Sequence, residues 1–387
     1  MLLVSLSGVA VLSLNMFLPA LPRIATDLGV DYATANWAVS GYLALTAAIL
    51  LVAGPLSDRV GRRPVVLGAL SAFCLACLAC ALAPGFGPFL AARLLMGAVI
   101  ACSAMSMTAV RDTSEGAEAA RRLSWVATGM AVGPMIGPML GGFIAGALGW
   151  RGIFAALGLA GAALLVWAAR SFGETRAARS GQSLTGELPH LIRARRFWAY
   201  AGSVMFGIGC FFVFIAGAPL VAVQVFGMPI EAVGLAVGII TGGFFAGTIT
   251  SGRIAARVGV PGMVLAGRLS AVLGLTLSGL FLATGVASPY TYFGCVMLVG
   301  YGNGLGTPSA NVGLMSVRPS LSGTAAGVSG AMTLAGGAAL TALSARSLVE
   351  GDPLWRLWGA MMLVALAGLA CALAAWSLER RAAATAS

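Results

Sequence analysis

Charge is what this sequence has least of. Only 9% of its 387 residues are charged, lysine is absent, and His190 is the single histidine. A soluble chain of this size could not solvate a surface so poor in charge. With 59% hydrophobic residues and a mean hydropathy of +0.96, the solvent that fits is a lipid bilayer. One histidine, with no metal-ligand cluster and no nucleophile–base pairing, excludes the common enzyme chemistries, and no cofactor or metal is expected. The seven cysteines all fall in apolar runs, and Cys74, Cys77 and Cys80 share one helix face with no histidine near. They read as small apolar residues, neither a metal site nor a disulfide scaffold. All 23 basic residues are arginine, which reflects genome composition more than mechanism.

What is present in quantity is apolar sequence cut by short charged loops. The net charge of +11 would suit nucleic acid, but its arginines lie between apolar runs of 18 to 25 residues, which excludes that partner. Twelve segments are long enough to cross about 30 Å of hydrocarbon as helices. They are 2–20, 35–56, 64–83, 87–109, 123–147, 150–170, 197–219, 231–256, 261–285, 289–312, 320–346 and 354–377. No basic residues precede the first run, so residues 1–20 read as a span and not as a cleaved signal. Arg23, Arg151, Arg346 and Arg356 fall on one side, Arg93 and Arg268 inside spans, and the other seventeen arginines on the opposite side. The positive-inside rule makes that richer side, with both termini, cytoplasmic. The longest polar interval, 171–196, then reads as a cytoplasmic linker between a bundle at 1–170 and a second at 197–387. His190 lies in that linker without a partner. A monomer in contact with lipid is expected.

One stretch repeats. Gly54-Pro55-Leu56-Ser57-Asp58-Arg59-Val60-Gly61-Arg62-Arg63-Pro64 sits between two spans, and a weaker copy begins 198 residues later at Gly252, with Arg257 and Gly259 in register. An offset of half the chain implies two related halves. The eleven residues resemble the loop between helices two and three of the major facilitator superfamily of secondary transporters. That resemblance implies an all-α membrane protein of twelve helices in two pseudo-symmetric six-helix bundles, working by alternating access. It also implies a gating role for Gly54, Asp58, Arg59, Gly61, Arg62 and Arg63, with the aspartate meeting the start of span eleven near Ser320.

Span five carries Gly129, Gly133, Gly137 and Gly141, with Pro134 and Pro138, all at spacings of four. This puts a stripe without side chains on one face and predicts a close helix contact. With Gly142, the segment resembles the span-five signature of the exporting, antiporter branch. The stretch 15–22, Arg111-Asp112, Gly149-Trp150-Arg151 and Phe211-Phe212-Val213-Phe214 resemble the Bcr/CflA-type drug efflux group. That resemblance implies proton-driven export of a small lipophilic compound from a bacterial plasma membrane. Two departures stand out. The group usually carries an aspartate in span one where this chain has Asn15, and a glutamine where Arg93-Leu94-Leu95-Met96-Gly97 has methionine.

An amide cannot carry a proton, and none of the twelve acids falls in the middle of a predicted span. Asp112, at the end of span four, is the proton-coupling candidate, with Glu231 at the start of span eight as the other acid near a span end. A dry cavity for a cation calls for a carboxylate or an aromatic cage, so a neutral or anionic substrate is expected. Arg93 points the same way, unless it snorkels or bonds carbonyls of span one or five. Arg268, nearer its helix end, is expected to snorkel. Asn15, Phe17, Tyr42, Trp125, Phe211, Phe214, Asn303 and Asn311 are the other candidates to line a substrate cavity, their alternative being lipid-facing or interfacial positions. The alternative function is an exporter or facilitator of a metabolite such as a sugar or amino acid, without the usual span-one proton carrier.

Overall fold

A computed structural model describes residues 1–114, 116–175, 188–318 and 321–386. Glu115, the linker residues 176–187 and Ser320 therefore lie outside the described residues, as do the side chains of Arg111 and His190. Among the described residues the chain is helical, with no strand. The helices are α1 Leu2–Asn15, α2 Leu21–Asp27, α3 Tyr32–Ala35, α4 Trp37–Val60, α5 Arg62–Ala81, α6 Phe86–Met96, α7 Ile100–Thr113 and α8 Gly116–Ser171. After the linker follow α9 Leu188–Arg193, α10 Arg195–Gln224, α11 Ile230–Val258, α12 Val260–Ala283, α13 Pro289–Ser316, α14 Ser322–Val349 and α15 Pro353–Ala386.

Ten helices among the described residues are long and apolar enough to cross a membrane. Two of the twelve expected segments account for the difference. The fifth and sixth lie end to end in α8, which turns at Gly149 (φ 73°). The tenth is α13, 28 residues long, whose Asn303, Thr307, Ser309 and Asn311 reduce its apolar character. The first segment also runs further than expected: a 3-10 turn at Leu18–Ala20, entered through Pro19, joins α1 to α2. Beyond it Asp31 caps α3, and the Thr34 hydroxyl and N–H hold its carboxylate below the usual range.

The described chain divides into two compact units, Met1–Ser180 with Gly227–Gly238, and Gly181–Phe226 with Ile239–Ser387. The packing inside each follows one pattern. In the first, α1 lies on α7 and α8, while α5 lies on α6 and α8. In the second, α10 lies on α13, α14 and α15, while α12 lies on α13 and α15. The duplicated motif has the same backbone in both copies. Gly61 (φ 99°, ψ 159°) separates α4 from α5, and Gly259 (φ 78°, ψ 164°) separates α11 from α12. A side chain is strained at either angle, which explains glycine at both. The charged stretch itself is not the loop expected from its composition. α4 continues through Gly54, Pro55 and Asp58 to Val60, so the connection narrows to Gly61.

The glycine stripe of α8 is where α1 approaches. A methyl group at Gly129 would meet Val4, at Gly133 Val11, at Gly137 Asn15 Cβ at 3.1 Å, and at Gly141 the Met16 carbonyl. Gly142, turned away from that face, meets Ile230 and Glu231 in the first turn of α11, and Gly234 there meets the Pro138 carbonyl. Lipid tails are as apolar as leucine, so helices in a bilayer associate through such backbone contacts more than through burial. Gly141→Ala is expected to lower the thermal unfolding midpoint of the detergent-solubilised chain by several degrees, whereas Gly68→Ala, whose methyl would meet nothing within 4 Å, is expected to leave it unchanged. Equal midpoints for the two variants would contradict the close contact.

Candidate functional site

Among the described residues, each unit buries one arginine within a membrane span; a third, Arg62, is buried at the end of a helix. In the first, Arg93 on α6 is 0% exposed, and its Cζ lies 4.1 Å from the ring centres of both Phe17 and Tyr42. Its Nη1 donates to Ser13 Oγ at 3.4 Å and contacts Met96 Sδ at 3.7 Å. Tyr42 donates its hydroxyl to the same Ser13 Oγ at 3.3 Å. Inserting an arginine at a helix centre costs about 3 kcal/mol on translocon scales. Two desolvated ring contacts at about 2 kcal/mol each are enough to offset that. Met96, which stands where the resembling group has glutamine, is thus a direct neighbour of the guanidinium. Asn15 of α1, whose Cβ faces Gly137 of α8, donates Nδ2 to the Val11 carbonyl at 2.8 Å, while its buried Oδ1 makes no hydrogen bond among the described residues.

In the second unit Arg268 on α12 is 2% exposed, which corrects the expectation that it snorkels. Its Nε donates to Ser203 Oγ at 3.2 Å, Nη1 to Asn303 Oδ1 at 2.7 Å and Nη2 to Thr307 Oγ1 at 3.3 Å. Asn303 in turn donates to the Gly207 carbonyl at 2.9 Å. The guanidinium lies over Gly207 so closely that a Cβ there would strike it. Asn303 is therefore a buried clasp between α10, α12 and α13.

The other candidates scatter. Phe17 and Tyr42 are buried against Arg93, whereas Trp125 is 57% exposed. Phe214 is fully buried with its ring edge-on to Phe293 at 6.1 Å. Phe211 is half-buried beside Phe212, and Asn311 is half-buried on α13. The Gly149-Trp150-Arg151 stretch ties helix ends together. Trp150 donates Nε1 to Asp27 Oδ2 at 2.8 Å, while Arg151 lies over the Trp150 ring and donates to the Ala83 carbonyl at 3.1 Å.

The charged segment from Gly54 forms a network at the arginine-rich end of the first unit. Arg62 donates to Asp58 at 2.6 Å, to Asp112 at 3.3 Å and to Ser57 Oγ. Arg63 donates to the Ala169 carbonyl at 2.7 Å. Glu174 was not legible as a member. Its carboxylate accepts the backbone N–H of Arg62 at 2.8 Å and of Arg63 at 3.3 Å, capping α5 from 111 residues away in sequence. A Cβ at Gly61 would collide with that carboxylate, a second reason for glycine there. In the second unit, Glu379 accepts from Arg196 and from the Tyr200 hydroxyl.

Long apolar helices, a half-chain repeat and buried cations define a polytopic helical membrane protein of the transporter class. A family model of the Major Facilitator Superfamily matches residues 3–342, and the chain belongs to that superfamily. That superfamily is one of membrane transporters, which are not enzymes. A chloramphenicol resistance protein of Pseudomonas aeruginosa is 34% identical over 212 residues, 54% of this chain and 51% of that protein. The multidrug resistance protein MdtL of Escherichia coli is 28% identical over 216 residues, 55% of each chain. These matches span about half the length of the curated relatives. A crystal structure of a D-xylose-proton symporter superposes with a TM-score of 0.75 over 95% of this chain and 96% of its own, at 16% identity, a likeness of fold alone.

Losing the Asn303 clasp would leave one Arg268 nitrogen without its acceptor and take one hydrogen bond from the Gly207 carbonyl. Asn303→Ala is expected to destabilise the second unit by about 1–3 kcal/mol, read as a shifted denaturant midpoint with unchanged helix content at rest. An unshifted midpoint would show that the contacts are not made.

Proposed function

We propose that this transporter exports a small, lipophilic, neutral or anionic compound from a bacterial cell by alternating access, with proton coupling and both termini in the cytoplasm. One observation carries the charge assignment. The arginine buried within a span of each unit, Arg93 and Arg268, has no carboxylate partner among the described residues, where the ion pairs include Arg62 with Asp58 and Asp112, Arg122 with Glu118, and Arg196 with Glu379. Such an interior attracts acceptors and repels cations. The efflux assignment is supported by the relatives named for drug resistance. The metabolite reading gains nothing from the sugar symporter, whose likeness is one of fold.

Asp112 is the acid we assign to coupling. Its carboxylate accepts from Arg62 Nε at 3.3 Å, which makes it one of the two acidic partners of Arg62 in the gating segment. Cells expressing the chain are expected to survive neutral antibiotics of the chloramphenicol type better than control cells and to gain nothing against quaternary ammonium compounds. Survival gained only against the cations would overturn the reading. Asp112→Asn is expected to leave downhill movement of the drug intact but to abolish its extrusion against a gradient, measured as dye or drug efflux from energised cells with and without an uncoupler. Uphill, uncoupler-sensitive efflux in the variant would remove Asp112 from the coupling.

A further inference from the structure

Arg93 carries more than the export reading uses. A guanidinium has a long edge on which Nε–H and one Nη2–H point side by side, the fork that meets both oxygens of a carboxylate. In Arg93 both of these nitrogens lack a hydrogen-bond partner among the described residues, although the residue is 0% exposed. Its third nitrogen, Nη1, is engaged by Ser13 and Met96 on the other side of the group. The Phe17 and Tyr42 rings lie over the guanidinium at 4.1 Å, so a ligand reaches it in the plane, along this edge.

Arg268 shows what the same edge looks like when the fold itself fills it. There Nε donates to Ser203 and Nη2 to Thr307, and no nitrogen of the group is left over. The two buried arginines are thus built differently: one is a structural clasp, the other keeps its bidentate edge for something the protein does not supply. Nor does the amide of Asn15 fill it: its Nδ2 donates to the Val11 carbonyl, and its Oδ1, the atom able to accept from a guanidinium, makes no hydrogen bond among the described residues. An uncompensated buried donor pair is costly, and a charge-assisted fork is among the strongest hydrogen bonds available to satisfy it.

We propose that the Nε–Nη2 edge of Arg93 is a carboxylate-binding subsite, and that the transported compounds include lipophilic acids carried as their anions. This rests on the export reading and adds a substrate class to it. A halide would fill the edge less well than a planar oxyanion, since it meets both N–H groups at one atom.

The test uses the purified full chain in lipid nanodiscs and follows its thermal unfolding midpoint. Benzoate is expected to raise the midpoint in a saturable way, whereas benzamide, of the same shape without the charge, and chloride at equal ionic strength are expected not to. Acetate separates the sources of the group: a shift with benzoate but not acetate assigns the subsite to the transported compound, and an equal shift with both assigns it to any small carboxylate. Arg93→Lys, which keeps the charge and loses the fork, is expected to weaken benzoate binding at least tenfold, while Thr307→Ala, a partner of Arg268, is expected to leave it unchanged. No benzoate shift in the unmodified chain, or the same shift with benzamide, would overturn the proposal whatever the variants do. Because binding is read without transport, a chain that exports neutral drugs yet ignores benzoate loses this subsite alone. One that binds benzoate yet exports nothing loses the export reading instead.

Discussion

Taking a guanidinium out of water and into a helix bundle is unfavourable unless something replaces the water. A carboxylate would be the ordinary replacement. In this chain both interior arginines do without one, and the elements around them are arranged accordingly. Around Arg93 the replacement is two ring faces, a hydroxyl and a thioether. Around Arg268 it is an amide and two hydroxyls, reached across a glycine. The neutral solution leaves each bundle with a net positive interior. That is the physical basis for expecting neutral and anionic cargo, and for placing proton chemistry at the helix ends.

The second constraint is closeness. Rings and hydroxyls can surround Arg93 only if α1 is held firmly, and it is held by the bare face of α8. The same residues that were singled out as an antiporter signature are, in packing terms, the places where Val4, Val11, Asn15 and Met16 sit. Two prolines at the spacing of the glycines lie within α8 without ending it. A flexible but closely packed helix of this kind suits a transporter that must rearrange without losing its interior contacts.

Much of the architecture was legible because bilayers demand long apolar helices, and because a repeat at half the chain length leaves two matching glycines, Gly61 and Gly259. The limits of the helices were less so. The charged stretch from Gly54 reads as a loop, since glycine, proline and charge mark loops in soluble proteins, yet α4 carries it as helix to Val60. At a membrane edge those side chains reach water without leaving the helix. Arg268 was misplaced for a similar reason. Its distance along the span suggested a surface, but Ser203, Gly207, Asn303 and Thr307 converge on it from two other helices. Glu174 left no sign at all, because a cap supplied from 111 residues away has no local pattern. Arg93 was the opposite case: a lone basic residue deep in an apolar run, its significance readable before its neighbours were known.

The charge of the cargo is the point on which these features converge. Reconstituted into liposomes under an imposed pH gradient, the chain can be offered one aromatic skeleton in three forms, bearing an amide, a carboxylate or a quaternary ammonium group. Movement of the amide and the carboxylate without the ammonium is the expected result. Equal or faster movement of the ammonium form would mean that the carboxylate-free interior does not select its cargo.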